Sequence, residues 1–226
     1  MRKKPMLAYP VNKKPIDYSK PVFVQPKLDG VRCVIQYENR PLKNVDDLSG
    51  KLTENVVVAY SRTGKEWKNI NHILEQLKPF FLKFPDVILD GELYNHAFKD
   101  DFEQIISMVR KSKPTDEARL ISAENVQFHC YDIIDEKLPF DQRIEFVNES
   151  LMLLGDSIHI VDTEIVDSEA QVRGAHVGIM SLGYEGSIVR TNDTYHCKRS
   201  HSLRKIKDFH DAEANITGWV EGKGKR

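Results

Sequence analysis

Lys27-Leu-Asp-Gly-Val-Arg32 is the stretch of this 226-residue chain from which its fold and its chemistry can be worked out. Two runs rich in β-branched and aromatic residues flank it, at 22–25 and 31–37, and both are predicted to be strands. Gly30 permits a tight turn between them, so Lys27 projects from a strand end. Alone, the hexapeptide is a weak signal, because most lysines beside an aspartate and an arginine are surface residues with a nearby counter-ion.

The segments around the hexapeptide alternate between strand-like and helix-like patterns. Further β-branched and aromatic runs bounded by Gly, Pro, Asn or Asp predict strands over 56–61, 87–94, 126–134, 157–166 and 187–191. Apolar residues at helical spacing predict helices around 70–77, over 102–109 with Asp100 or Asp101 as N-cap, over 139–154 with Gly155 as the C′ stop, and over 168–182. Helices mixed with irregularly spaced strands indicate an α+β fold of mainly antiparallel sheets, not a regular βαβ barrel.

Composition excludes several classes of protein. The chain is 40% hydrophobic and 30% charged, with 12 Gly and 10 Pro, which is unlike a fibre or a disordered tail. No apolar run approaches the roughly 18 residues of a membrane span. The basic start of the chain has no apolar segment behind it, so it does not resemble a signal peptide. We therefore expect a soluble globular protein of the cytoplasm, monomeric and with no membrane partner.

Charge and cysteine content add two restrictions. The 33 Lys+Arg and 34 Asp+Glu give a net charge of −1, so total charge does not indicate a polyanionic partner. Basic residues nevertheless concentrate in two stretches, 1–20 and 196–207, a pattern that more often marks a solvated face than a nucleic-acid site. Cys33, Cys130 and Cys197 are widely spaced, which argues against a disulfide framework or a zinc site and predicts reduced thiols.

Five further short blocks follow Lys27, each at the edge of a predicted strand. They are Ser61-Arg-Thr-Gly64, Asp90-Gly-Glu92, Phe128-His-Cys-Tyr-Asp132, Glu185-Gly-Ser-Ile-Val-Arg190 and Lys205-Ile-Lys207. The six blocks together closely resemble the ordered motifs of the covalent nucleotidyltransferases, and specifically the adenylation domain of ATP-dependent DNA ligases. The first is similar to the KxDGxR motif of that family, and the others are similar to its motifs Ia, III, IIIa, IV and V. One such block arises easily by chance, whereas six in the family's order do not.

The resemblance covers nearly the whole chain and implies its domain organisation. Residues 1–211 would form an ATP-grasp-like nucleotidyltransferase (adenylation) domain, with helices flanking its sheets. The run that begins at Asp211 resembles the family's junction with an OB-fold domain. We therefore expect residues 212–226 to be the start of a truncated OB fold.

The resemblance also implies a reaction. Lys27 would attack the α-phosphate of ATP, forming a covalent lysyl-AMP and expelling pyrophosphate; covalent catalysis divides a difficult step into easier ones. The AMP would then pass to the 5′-phosphate of nicked double-stranded DNA, where a 3′-hydroxyl displaces it and seals the nick. A lysine with the ordinary pKa of about 10.4 is protonated at neutral pH. We expect Lys205, Lys207 and a bound metal to lower the pKa of Lys27.

By resemblance, the nucleotide contacts fall on residues of the six blocks. Tyr131 would stack on adenine, Val189 would cover the opposite face of the base, and Gln25, two residues before Lys27, could read the edge of the base. Lys205 and Lys207 have the period-2 spacing that puts both on one face of a strand, where they would contact the α-phosphate.

Metal and DNA contacts complete the predicted site. Mg²⁺ prefers oxygen ligands, and Glu185 is the first choice, with Glu92 and Asp29 as further candidates. The resemblance more often implies that Glu92 binds the ribose hydroxyls. Arginine binds phosphate through two parallel hydrogen bonds, and three are assigned by the resemblance: Arg32 to the ribose or the 5′-phosphate, Arg62 to the nicked strand, and Arg190 to DNA.

Two other classes of function stay open at the level of sequence: a related nucleotidyltransferase and a non-catalytic binding module. An mRNA-capping guanylyltransferase or an RNA ligase would share the lysine nucleophile and much of the scaffold, but Arg32 and the ligase-like run over 205–213 favour a DNA ligase. A non-catalytic nucleic-acid-binding module could retain the basic stretch 198–207. Binding alone does not require Lys27 together with Glu92 and Glu185, which favours an enzyme.

Overall fold

The computed structural model describes residues 3–42, 52–152, 154–207, 218–219 and 221. No helix in these ranges is long and apolar enough to cross a bilayer. In chain order the described elements are β1 (Leu7–Pro10), β2 (Val22–Lys27), β3 (Val31–Pro41), β4 (Thr53–Tyr60), α1 (Asn71–Lys83), β5 (Ile88–Tyr94), α2 (Phe102–Val109), α3 (Asp116–Asn125), β6 (Gln127–Ile133), α4 (Phe140–Leu151), β7 (Ile158–Ile160), β8 (Glu164–Val166), α5 (Glu169–Ser181), β9 (Gly186–Thr191) and β10 (Arg199–Ile206).

The strands form two five-stranded sheets. The first, sheet A, has the order β1-β10-β9-β2-β8, and the second, sheet B, has the order β4-β3-β5-β6-β7. Pairing is antiparallel except between β1 and β10 and between β6 and β7. The predicted α+β class with mainly antiparallel sheets is confirmed.

Helices cover one face of each sheet. On sheet B, α1 packs against β4 and α4 packs against β6 and β7, around the largest apolar cluster, which includes Ile35, Leu77 and Phe128. On sheet A, α5 packs against β2 and β9 around a smaller cluster of valines. Burial of these apolar faces is the main stabilising contribution to both layers, at about 25 cal/mol per Å².

The hexapeptide connects the two sheets. Lys27 is the last residue of β2 in sheet A, and Arg32 is the second residue of β3 in sheet B, so only residues 28–30 lie between the sheets. Gly30 packs directly on β5, where an added Cβ would lie 2.5 Å from the carbonyl oxygen of Leu93. Glycine is therefore required at Gly30 for a close approach of backbone to backbone.

Several boundaries differ from the sequence prediction. The run 157–166 is wrong as one strand: β7 pairs with β6 in sheet B, whereas β8 pairs with β2 in sheet A. Helix α4 ends at Leu151, so Gly155, with φ of 127°, lies in the following loop and is not the C′ residue. Asp101, and not Asp100, caps α2, accepting from the backbone N–H of Gln104.

Three described elements have weak or no sequence signals. Strand β1 is short and ends in proline, and α3 has few apolar residues. For β10, the only sequence signal of a strand is the period-2 spacing of Lys205 and Lys207. The predicted domain boundary after residue 211 lies outside the described residues. Cys33, Cys130 and Cys197 are free thiols, as the sequence predicts.

Candidate active site

A cavity of about 240 Å³ lies between the two sheets. Strands β2, β9 and β10 form one wall, and β3, β5 and β6 form the other. Eight residues predicted for the site line it together: Gln25, Lys27, Arg32, Arg62, Glu92, Tyr131, Arg190 and Lys205. The sheet pairing therefore brings residues that are up to 180 positions apart in sequence into one small volume.

Lys27 and Lys207 share one carboxylate beside this cavity. The Nζ of Lys27 donates to Oε2 of Glu185, and the Nζ of Lys207 donates to Oε1 of the same side chain. Lys205, on the same face of β10 as Lys207, lines the cavity itself. The two lysines of the last block thus have different surroundings, one in the cavity wall and one on Glu185.

Burial lowers the pKa of Lys27 below the ordinary value for lysine. The carboxylates of Glu92 and Asp29 oppose this shift by stabilising the ammonium form. The direction of the shift agrees with the sequence prediction, but its largest cause is removal from water and not repulsion by Lys205 and Lys207. A lowered pKa increases the fraction of free amine, which is the nucleophilic form.

Gly186 allows Glu185 to lie between the two lysines. Gly186 pairs with Lys27 across β2 and β9, and β10 passes so close that an added Cβ would clash with the carbonyl oxygen of Ile206. Its φ of 156° is also strained for other residues. The glycine after Glu185 therefore lets the ends of three strands converge at the lysine pair.

Glu92 and Tyr131 form the opposite side of the cavity. The Tyr131 hydroxyl donates to Oε2 of Glu92 at 3.3 Å. Burial raises the pKa of Glu92 to about 7, although Arg32 and Lys27 both favour its ionised form. The Tyr131 hydroxyl thus links the ring to the Glu92 carboxyl on this side of the cavity.

A buried carboxylate fixes Arg32. Its Nε and Nη2 donate to the two oxygens of Asp90 at 2.6 and 2.5 Å, and the hydroxyl of Tyr195 donates to Asp90 as well. Asp90 is fully buried. Because the Asp90 carboxylate accepts two parallel hydrogen bonds from Arg32, the Arg32 guanidinium is held at the cavity wall.

A second buried carboxylate, Asp132, binds two arginines. Arg143 donates to it through Nε at 2.7 Å, and Arg190 donates through Nη1 at 2.7 Å. The Nε of Arg190 donates to Oε1 of Gln25, whose amide nitrogen donates to the backbone carbonyl of Tyr131 and to Thr163. This network locks the cavity wall behind the Tyr131 ring.

The same network changes the roles expected for Arg190 and Gln25. The Arg190 side chain is 4% exposed and occupied by Asp132 and Gln25, so it does not lie on a surface that DNA can reach. Its DNA contact stays a prediction, and in this structure the side chain is bonded within the protein. Both N–H groups of Gln25 are bonded within the protein, so in this structure Gln25 supports the wall instead of presenting a free donor to adenine.

Val189 faces away from the cavity. It packs with Val22, Val24 and Val172 on the other face of sheet A. Neighbouring residues of a strand point to opposite faces, so Val189 and Arg190 cannot both face one cavity. Ile188, which pairs with Gln25 and Lys205, lines the cavity instead. The alternation of side chains along β9 is by itself enough to identify Ile188 as the residue that faces the cavity.

A second, larger cavity of about 620 Å³ adjoins the first one and shares Arg32, Arg62 and Glu92 with it. Its rim carries three exposed cations: Arg62, Lys65 and Arg110. Arg62 is predicted from its sequence block, whereas Lys65 and Arg110 are not. Lys65 directly follows that block, and Arg110 directly follows α2.

The carboxylates near Lys27 suit a hard divalent cation. Glu185 is partly exposed and already binds two cationic groups. Burial lowers the pKa of both Lys27 and Lys207, and Asp29 is close enough to oppose this lowering in each case. Within the described ranges, no group of three or more His, Cys, Asp or Glu residues is arranged so that it could hold a metal ion. Mg²⁺ needs only one or two carboxylates when phosphate and water supply the other ligands.

Comparison with known proteins identifies the family. The family described as the ATP dependent DNA ligase domain matches residues 5–207. The chain belongs to this family. The predicted family is therefore confirmed over most of the chain, including all six sequence blocks.

Relatives and solved structures agree with this membership. A DNA ligase of African swine fever virus is 27% identical over 210 residues, which are 89% of this chain and 45% of the viral protein. The chain thus spans about half the length of the curated relatives it matches.

Three solved structures support the fold. A Lig E DNA ligase, described for DNA binding with a minimal scaffold, has a TM-score of 0.70 at 22% identity, over 99% of this chain and 76% of that one. The bacteriophage T7 ligase in complex with ATP has a TM-score of 0.63 at 16% identity, over 91% and 68%. The adenylated Chlorella virus ligase has a TM-score of 0.59 at 18% identity, over 93% and 69%.

Proposed function

We propose that the chain carries out the nucleotide-charging step of an ATP-dependent DNA ligase, with Lys27 as the nucleophile. The observation that carries the proposal is the position of Lys27: a partly buried amine of lowered pKa in the wall of the cavity between the two sheets, beside cationic and acidic groups. In the first step the free amine of Lys27 attacks the α-phosphate of ATP. A phosphoramidate bond forms, the bond to pyrophosphate breaks, and the amine proton is lost to solvent.

The residues around Lys27 supply position and charge. Phosphoryl transfer depends mainly on alignment and on neutralising the phosphate oxygens. Lys205 is placed to contact the α-phosphate from the cavity wall, and Lys207 adds positive charge from beside Glu185. Tyr131 supplies a flat ring for adenine, and Ile188 supplies apolar contact from β9. Glu92 is placed to accept hydrogen bonds from the ribose hydroxyls.

Glu185 and Asp29 are the residues proposed to hold Mg²⁺, with Glu92 as a further candidate. When bound, Mg²⁺ would neutralise phosphate charge. Glu185 is the first choice because both of its oxygens are already arranged around positive charge in this structure.

The second cavity is proposed to bind the nicked strand of double-stranded DNA, to which the AMP is transferred. Arg62, Lys65 and Arg110 supply positive charge at its rim, and Arg32 and Arg62 are shared with the nucleotide cavity. A 5′-phosphate held there would lie beside the lysyl-AMP. Sealing of the nick by a 3′-hydroxyl would complete the reaction.

The proposal is tested by measuring the intact mass of the purified chain after incubation with Mg²⁺ and either ATP or GTP. A single AMP adduct, mapped to Lys27 by peptide analysis, is the expected result. Release of ATP on addition of pyrophosphate identifies a chain that already carries AMP. A GMP adduct would contradict the proposal and favour a capping enzyme, and efficient sealing only of RNA ends would favour an RNA ligase.

Replacing Tyr131 separates the role of the ring from that of the hydroxyl. We expect Tyr131→Ala to raise the KM for ATP by tenfold or more, because stacking of an aromatic ring on a base contributes about 1–3 kcal/mol. Tyr131→Phe keeps the ring and loses only the hydrogen bond to Glu92, so its KM should stay closer to wild type. Steady-state adenylation measures both. Equal KM values for the two variants would exclude stacking by Tyr131.

Replacing Arg110 tests the DNA-binding role of the second cavity. Arg110→Ala should weaken binding of nicked DNA and reduce the dependence of log K on log salt by about one unit, as expected when one phosphate contact is lost. AMP charging should be unchanged, because Arg110 does not line the nucleotide cavity. Lys111→Ala is the matched control, since Lys111 is exposed and lies outside the lining of the second cavity. An equal loss in both variants would argue against a specific contact.

A further inference from the structure

A third cavity, of about 250 Å³, lies on the face of sheet A that points away from Lys27. Its position follows from strand alternation: Lys205 lines the nucleotide cavity, so the neighbouring Arg204 faces the other side. Arg204 also pairs with Val189, which belongs to the valine cluster on that far face. The third cavity is therefore separated from the nucleotide cavity by the thickness of sheet A.

Arg204 is buried in this cavity with most of its hydrogen-bonding capacity unused. The residue is 4% exposed. Its Nη2 donates to the carbonyl oxygen of Pro15 at 3.3 Å, but its Nε and Nη1 have no hydrogen-bond partner among the described residues. A buried charged donor without a partner is destabilising, because its lost hydration is not replaced. An acceptor that enters the cavity would relieve this cost.

His201 presents a second unpaired group to the same cavity. Its Nδ1 is buried and has no hydrogen-bond partner within the described part of the chain. The ring is fixed by stacking on Tyr9, with centroids 4.1 Å apart. Two exposed lysines, Lys14 and Lys20, complete the cationic lining.

The two acidic residues of the lining are occupied by other groups. Asp193 accepts hydrogen bonds from Thr191 at 2.8 Å and from Ser202 at 2.9 Å. Asp17 accepts from the backbone N–H of Ser19 at 2.9 Å. Neither forms an ion pair with Arg204, and burial lowers the pKa of Arg204 in spite of the nearby Asp193 charge. Among the residues that the structure describes, the Arg204 guanidinium thus lacks a full counter-ion.

We propose that this cavity binds a phosphate group, with Arg204 as its buried anchor, Lys14 and Lys20 at its rim, and His201 at its side. Arg204, Lys14 and Lys20 line one cavity, and a phosphate group offers several acceptor oxygens, so it can bind the guanidinium and the ammonium groups at the same time. Free inorganic phosphate and a phosphodiester of a nucleic-acid backbone share this chemistry. The site does not depend on the chemistry of Lys27.

The test follows the Arg204 Nε–H resonance of the full ¹⁵N-labelled chain by NMR while inorganic phosphate replaces chloride at constant ionic strength. The expected result is a saturable shift of this resonance. A resonance that does not move across the titration would overturn the proposal.

Matched surface variants make the test specific without disturbing the buried arginine. Lys20→Ala, at the rim, should raise the dissociation constant for phosphate about threefold to fivefold, in keeping with up to about 1 kcal/mol for an exposed charge contact. Lys13→Ala changes an exposed lysine outside the cavity lining and should leave it unchanged. Equal effects of both variants would indicate general screening and would overturn the proposal.

Duplex DNA then distinguishes the two sources of phosphate. If DNA shifts the Arg204 resonance and competes with inorganic phosphate, the site takes a backbone phosphodiester. If DNA leaves the resonance unmoved while phosphate shifts it, the site takes the free ion. Both results support a phosphate site on this face.

Discussion

Lys27→Arg should form no AMP adduct, with a loss in the rate of charging on the order of 10⁶-fold, the scale observed when another covalent enzyme loses its nucleophile. Arginine retains a positive charge and can still pair with Glu185, so the fold and the ion pair should survive. A guanidinium stays protonated and cannot supply the free amine that attacks phosphorus. Intact mass after incubation with ATP and Mg²⁺ measures the result.

Two controls separate chemistry from folding in this experiment. Lys78→Ala removes an exposed lysine of α1 that pairs with Glu75, and it should charge with AMP at the wild-type rate. Lys207→Ala should retain partial charging, because Lys207 adds positive charge but is not the nucleophile. An AMP adduct on Lys27→Arg at another residue would show that the nucleophile has been assigned incorrectly.

Asp132→Asn should have the largest effect on stability. The Asp132 carboxylate is fully buried between two arginines whose side chains are 1% and 4% exposed. An amide at this position would leave two buried guanidinium groups without their counter-ion. Removing one member of a buried charge network costs about 3–5 kcal/mol, a large part of the 5–15 kcal/mol that stabilises a typical domain.

Chemical denaturation of Asp132→Asn and of a matched surface variant measures this effect. Asp156→Asn changes an exposed aspartate and should alter the free energy of unfolding by no more than about 0.5 kcal/mol. A free energy of unfolding for Asp132→Asn within about 1 kcal/mol of wild type would show that the two arginines find other partners.

Four of the six sequence blocks lie where a strand begins or ends, whereas the blocks at 90–92 and 128–132 lie inside β5 and β6. Strand pairing is long-range, so the resemblance of the ordered blocks to a family, and not local spacing, is what identifies Lys27, Glu92 and Lys205 as site residues. Side-chain alternation, by contrast, is local. Applied strictly to β9, it assigns Ile188 to the cavity and Val189 to the core, which corrects the sequence assignment.

The partners of the buried charges could not be predicted in the same way. Asp132 binds Arg143, eleven residues further on, and Asp90 binds the hydroxyl of Tyr195, 105 residues further on. Neither Arg143 nor Tyr195 belongs to a sequence block. Only the three-dimensional packing shows that Arg190 forms an ion pair with Asp132.

The three-residue connection between Lys27 and Val31 also limits how the two halves of the domain can move. Four Cα-to-Cα steps span at most about 15 Å, and Gly30 is pressed against β5. The two sheets therefore cannot separate by translation at this edge, and any opening of the cavity must be a rotation about the connection. The amine of Lys27 lies next to that axis. Large movements at the rim of the cavity farthest from this connection would admit or release nucleotide. The Nζ of Lys27 would move least, because it lies close to the axis of rotation.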